Sequence, residues 1–147
     1  MEPLFTRILC PIDFDENSMA ALNFAAQLAR DHNAMLYLLH VVRAPSDPSE
    51  VPVEPAVAEW ESDARVRLYA VARQHLDGKA DFTLVLKTGD PFAGIMQAER
   101  ELKPDSVIMA THGRTGAGHV LLGSVAERVV RESLCPVVTV RPHAAQV

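Results

Sequence analysis

The chain has 147 residues, 48% of them hydrophobic and 22% charged, with a formal net charge of -5. That size and balance suit a single domain over residues 1–147, with a core that needs no disulfide or metal staple. A mildly acidic chain without a Lys/Arg run lacks the basic face that nucleic acid or an anionic membrane requires, so neither is an expected partner.

Residues 6–12 (TRILCPI) form an apolar run of strand length. Over residues 16–32, Leu22, Ala25, Ala26 and Ala29 recur at helical spacing, and Asn33 stands where a left-handed residue would end the helix. Residues 34–42 (AMLYLLHVV) are almost wholly apolar, the pattern of a parallel strand covered on both faces. Four prolines between residues 44 and 55 mark a surface loop. A helix follows over residues 55–76, closed by Asp77-Gly78; its Trp60, the chain's single tryptophan, reads as packing.

Residues 80–87 (ADFTLVLK) make a third strand. Asp90-Pro91 is an N-cap followed by proline at the first helical position, opening a helix that reaches about Leu102 and halts before Pro104. Residues 106–110 and 136–140 are the fourth and fifth strands. A glycine-rich loop and a helix over residues 124–132 lie between them. Strict β-α alternation predicts a parallel sheet with helices on both faces, joined by right-handed crossovers. Ligands of such sheets bind outside the carboxyl ends of the strands.

The start, MEPLFTRIL, does not read as a secretory signal, and no apolar run reaches the length of a membrane span, so the expected address is the cytoplasm. Cys10 and Cys135 read as reduced thiols in or near the core. No CxxC or HxxxH spacing supports zinc.

The loop after the fourth strand concentrates the chemistry. Gly113, Gly116, Gly118 and Gly123 are four of the chain's 7 glycines. Such a cluster lets several N–H groups point at one anion. Ser124 and Glu127 have the spacing of a capping box, which places a helix N-terminus, a natural phosphate site, beside Gly123. Arg114 adds a cation. Two familiar phosphate loops are near misses. His119 and Val120 stand where a P-loop needs lysine and a hydroxyl residue, and Leu121 where the dinucleotide fingerprint needs its third glycine or alanine.

With these residues assembled, the chain resembles the universal stress protein family along essentially its whole length. The likeness lies in Ile8-Leu-Cys-Pro-Ile-Asp13, in Leu39-His-Val-Val42, and above all in the tail. There Ala-Thr-His-Gly113-Arg-Thr-Gly leads, across the nine residues from Arg114 to Leu122, to Gly123-Ser124 and a helix running to Cys135-Pro136-Val-Val. The ATP-binding branch carries G-x-x-G-(nine)-G-[ST], and Ala110 replaces the first glycine here. The resemblance implies a five-stranded, Rossmann-like sheet of order 3-2-1-4-5 and an adenine-nucleotide site. Asp13 would take the ribose, Pro11 and Ile12 would wall the pocket, and Val41 would meet adenine through its backbone. Met109 and Ala110 would line the opposite side. Gly113, Arg114, Gly123, Ser124 and Val125 would hold the phosphates of ATP or AMP, with Mg2+ or Mn2+. It also implies a homodimer through the last strand, and the physics of an apolar edge strand agrees.

Some residues admit two readings. Asp13 is a ligand contact or the N-cap of the following helix, a role that Asp15 could serve instead. His112 is a satisfied loop histidine, a phosphate neighbour or a metal ligand, and His40 reads as core. The function implied is a stress-response regulator that binds ATP with little or no turnover, slow hydrolysis at most. The alternative is a nucleotide-free dimeric scaffold or a binder of another ligand, which Ala110 keeps open. A phosphorylation receiver is disfavoured, because the third strand ends Leu86-Lys87-Thr88 without an acceptor aspartate.

Overall fold

The computed structural model describes residues 3–44, 54–112 and 122–142. Nine elements follow in chain order: β1 (Arg7–Pro11), α1 (Glu16–His32), β2 (Met35–Arg43), α2 (Glu54–His75), β3 (Asp81–Gly89), α3 (Pro91–Leu102), β4 (Ser106–Ala110), α4 (Ser124–Glu132) and β5 (Val137–Val140). The strands form one parallel sheet of order β3-β2-β1-β4-β5, so the order reverses between β1 and β4.

Side chains alternate across the sheet and divide the core in two. Ile8, Cys10, Leu36, Leu38 and Ile108 face α1 and α2, where they meet Leu22, Ala25, Leu68 and Ala72. Leu9, Leu39, Val41, Val107 and Met109 face α3 and α4, where they meet Ile95, Ala98, Ala126 and Val129. Burying each large aliphatic side chain is worth about 1.5–3 kcal/mol, and both faces of the central strands collect that gain.

The helix ends follow local chemistry. Asp15 caps α1 by accepting from Ser18 N–H at 3.0 Å, and Asn33 closes it at φ 54°, where Ala34 N–H reaches back to the Ala29 carbonyl. Asp90 caps α3 by accepting from Ala93 N–H at 2.9 Å, with Pro91 as its first residue. Gly78, at φ 73°, turns the chain out of α2 into β3. β2 and β3 run past their expected ends to Arg43 and Gly89 because they pair with each other along all nine residues.

One expectation about the helix ends fails. Ser124 is the first helical residue of α4 rather than its cap, so no capping box forms. Gly123 is the N-cap instead, held extended (φ -69°, ψ 167°) while its N–H donates to the Thr111 carbonyl at 2.7 Å. That bond sets the start of α4 against the end of β4 one residue earlier than the S-x-x-E spacing implied.

Candidate functional site

At the carboxyl ends of β1, β2 and β4 lies a cleft of about 770 Å³. Such a volume is typical of a small-molecule site. Its floor is the reversal point of the sheet. Pro11, Ile12 and Asp13 reach it from β1, Val41 from β2, and Met109 and Ala110 from β4. Gly123, Ser124 and Val125 enter from the start of α4. Gly113 and Arg114, together with Gly116 and Gly118, lie outside the described residues. The remaining nine residues expected from the resemblance share this one cleft.

Two strands of unequal reach create it. β1 stops opposite Leu39, while β2 continues to Arg43 with β3 as its only strand partner. Ile12 N–H donates to the Leu39 carbonyl at 2.8 Å. Main-chain polar groups alternate sides along a strand, so the N–H and carbonyl of Val41, two residues on, face the same side beyond the end of β1. Val41 lines the cleft on this side.

Asp13 is held within the turn from β1 to α1. Its Oδ1 accepts from Ser18 Oγ at 2.5 Å and from Asp15 N–H at 3.3 Å, and its own N–H donates to Ser18 Oγ. The cap of α1 is Asp15 and not Asp13, so the alternative reading of Asp13 as the helix cap does not hold. Burial pushes the Asp15 carboxyl up, and the neighbouring Asp13 charge adds to the rise. Opposite stands the N-terminus of α4, whose cap residue has no side chain to offer and whose dipole favours an anion.

The other wall was not foreseen. Phe14 sits at φ 69°, a left-handed conformation costly for an aromatic residue, and this turns its ring into the cleft. The ring centre lies 4.3 Å from that of His40 on one side and 4.3 Å from the Arg67 guanidinium carbon. His40 is half-buried rather than core. Its Nδ1–H donates to the Ile12 carbonyl at 2.8 Å, and the ring lines the cleft. Trp60 is 40% exposed and also lines it, so it is not a packed core residue. His112 lines the cleft too, with its Nδ1 3.1 Å from Thr111 Oγ1.

Cys10 lies wholly in the core, where burial pushes its thiol up to about 12. Cys135 is half-buried beside Ser133, and both cysteines are free. Among the described residues no group of three or more His, Cys, Asp or Glu side chains is placed to hold a metal ion, and no helix is long and apolar enough to cross a membrane.

Comparison with known proteins agrees with this architecture. The description "Universal stress protein family" matches residues 4–141. The universal stress protein MJ0531 of Methanocaldococcus jannaschii is 30% identical over 147 residues, spanning 95% of this chain and 84% of that protein. The solved universal stress protein UspA of Lactobacillus plantarum superposes with a TM-score of 0.78 at 25% identity, covering 93% of this chain and 98% of that one. Two more distant structures share the fold: a universal stress protein in complex with cAMP (TM-score 0.62, 22% identity, 94% and 98% covered) and one from Archaeoglobus fulgidus in complex with dAMP (0.64, 17%, 92% and 98%). On this evidence the chain belongs to the universal stress protein family.

Proposed function

We propose that the cleft binds an adenine nucleotide, ATP or AMP, and that the protein acts as a regulatory binder in the stress response with little or no turnover. The observation that carries this reading is the pairing of two features across the sheet's reversal point: Asp13 with the Val41 main chain on one side, and the side-chain-free N-terminus of α4 on the other. The first suits ribose and base, the second phosphate. The cAMP and dAMP complexes of fold relatives support the same ligand class. Low turnover follows from the loop sequence, where His119 and Val120 replace the lysine and hydroxyl of a P-loop.

A divalent ion fits this reading only as a companion of the phosphates. Among the described residues the carboxylates that line the cleft are Asp13 and Asp63, and no group of three or more His, Cys, Asp or Glu side chains is placed to hold a metal ion. Mg2+ or Mn2+ would therefore arrive on the nucleotide rather than reside in the protein. The reading also includes a cytoplasmic homodimer formed through β5. That strand is the sheet's edge beyond β4, and Leu134 beside it is 90% exposed.

The test is calorimetric titration of magnesium ATP into protein stripped of co-purified nucleotide, with Gly123→Val alongside. The backbone at Gly123 is one that any residue adopts, so the variant adds bulk to the α4 terminus without straining the chain. Binding of about one nucleotide per chain, abolished in the variant, is expected. Unaltered affinity in the variant sinks the phosphate assignment. No binding by wild type favours the nucleotide-free scaffold, with Ala110 as the first residue to restore to glycine.

A further inference from the structure

Along α2, Trp60, Ala64, Leu68 and Ala72, with Leu76 at the helix end, form one row spaced four residues apart. Neighbours four apart touch along a helix, and the row they make winds about 40° per step round its axis. Leu68, Ala72 and Leu76 are buried in the core against the sheet, at 1%, 0% and 0% exposure, while Ala64, 7% exposed, lines the cleft. Trp60 continues the row past the end of the sheet, where the cleft lies instead of a core, and there it is 40% exposed. The largest apolar side chain of the row thus stands over the cleft rather than over the core.

Beside it on the same wall, Arg67 rests its guanidinium on Phe14, and Phe14 in turn lies against His40. Among the described residues Arg67 makes no ion pair. Flat aromatic faces next to a guanidinium are the chemistry that receives a nucleobase. None of the residues that the family resemblance assigns lies on this wall.

We propose that the α2 wall is the base-recognition element of the cleft: Trp60 covers one face of the bound base, and Arg67, fixed on Phe14, closes the same side. This rests on the nucleotide reading of the cleft and adds to it. Stacking on α2 adds to the Val41 main-chain contacts with the base, independently of the phosphate contacts at α4, and the wall favours purines because they offer the larger stacking surface.

The experiment titrates the full chain with magnesium ATP and, separately, with inorganic tripolyphosphate, which has no base. Trp60→Ala should weaken ATP binding about ten-fold or more, the size of a lost base–aromatic stack, and leave tripolyphosphate unchanged. Trp60→Phe should restore most of the affinity. Val66→Ala, on the solvent side of α2, should behave as wild type. Because Trp60 is the single tryptophan, its emission in unmodified protein should change with ATP and not with tripolyphosphate. ATP affinity unchanged in Trp60→Ala, equal losses for both ligands, or emission indifferent to bound ATP each overturns the wall while leaving the nucleotide site standing. A wild type that binds ATP not at all overturns both.

Discussion

Replacing Gly94 by alanine tests how tightly α3 is seated on the cleft's β2 wall. A Cβ at Gly94 would stand 2.7 Å from Val41 Cγ2 and 3.0 Å from Cγ1, whereas ordinary contact begins at 3.4 Å. The helix or the valine must therefore give by about 0.7 Å, and a β-branched side chain in a strand has little rotamer freedom with which to do so. Overpacking of this kind costs about 1–3 kcal/mol, against a helix-propensity gain of up to about 1 kcal/mol for Gly→Ala. The expected net loss is about 0–2 kcal/mol at the full propensity gain. In a Val41→Ala background both offending methyls are gone, so Gly94→Ala should become neutral or stabilising. Urea unfolding of the four proteins reads the cycle as a shift of midpoint at constant slope, with a coupling of about 1–3 kcal/mol. If Gly94→Ala costs the same in both backgrounds, within about 0.5 kcal/mol, the contact does not limit the approach of α3.

Two further outcomes follow from buried groups away from the cleft. Glu99 is buried and accepts from Leu134 N–H at 2.6 Å and from Ser133 Oγ at 2.9 Å, pinning the corner between α4 and β5. Glu99→Ala should cost about 2–4 kcal/mol in urea unfolding and Glu99→Gln markedly less, since the amide retains an acceptor; equal costs for the two variants would contradict this role. Cys10 has its thiol raised from 9.0 to about 12 by burial. The folded state holds that proton after the unfolded chain has released it, so the contribution is whole below pH 9.0 and is lost as pH rises toward about 12. The slope approaches about 1.4 kcal/mol per pH unit, and Cys10→Ala should flatten the alkaline decline between about pH 9 and pH 11; parallel declines would remove Cys10 as its source.

The order of elements and most helix ends were legible because they rest on local chemistry. Asn33 and Asp90-Pro91 do what their side chains and backbone preferences dictate wherever they occur. Ser124-x-x-Glu127 misled because the start of α4 is set by a tertiary bond, Gly123 N–H to the Thr111 carbonyl, that no local spacing encodes. The β1 and α4 sides of the cleft could be found from Asp13 and the glycine loop. The α2 wall could not, although one signal was present: the four-residue row that begins at Trp60 extends past the core beneath it. Recognising that Trp60 and Ala64 lie over the cleft and not the core needs the length of β2 and its register against α2, which only the folded chain supplies. Phe14 is similar, since nothing in its neighbourhood announces a left-handed aromatic.

The projection of β2 past β1 has a consequence for how this protein can vary. A ligand lying against Val41 would occupy the position of a missing strand and meet peptide groups, whose donor and acceptor are the same for every residue except proline. Substitution of the side chain at position 41 would then alter packing against α3 while leaving that part of recognition nearly untouched. Relatives could diverge widely at this position and still present the same pair of polar atoms, which makes this part of the cleft stable in evolution yet silent in any comparison of side chains.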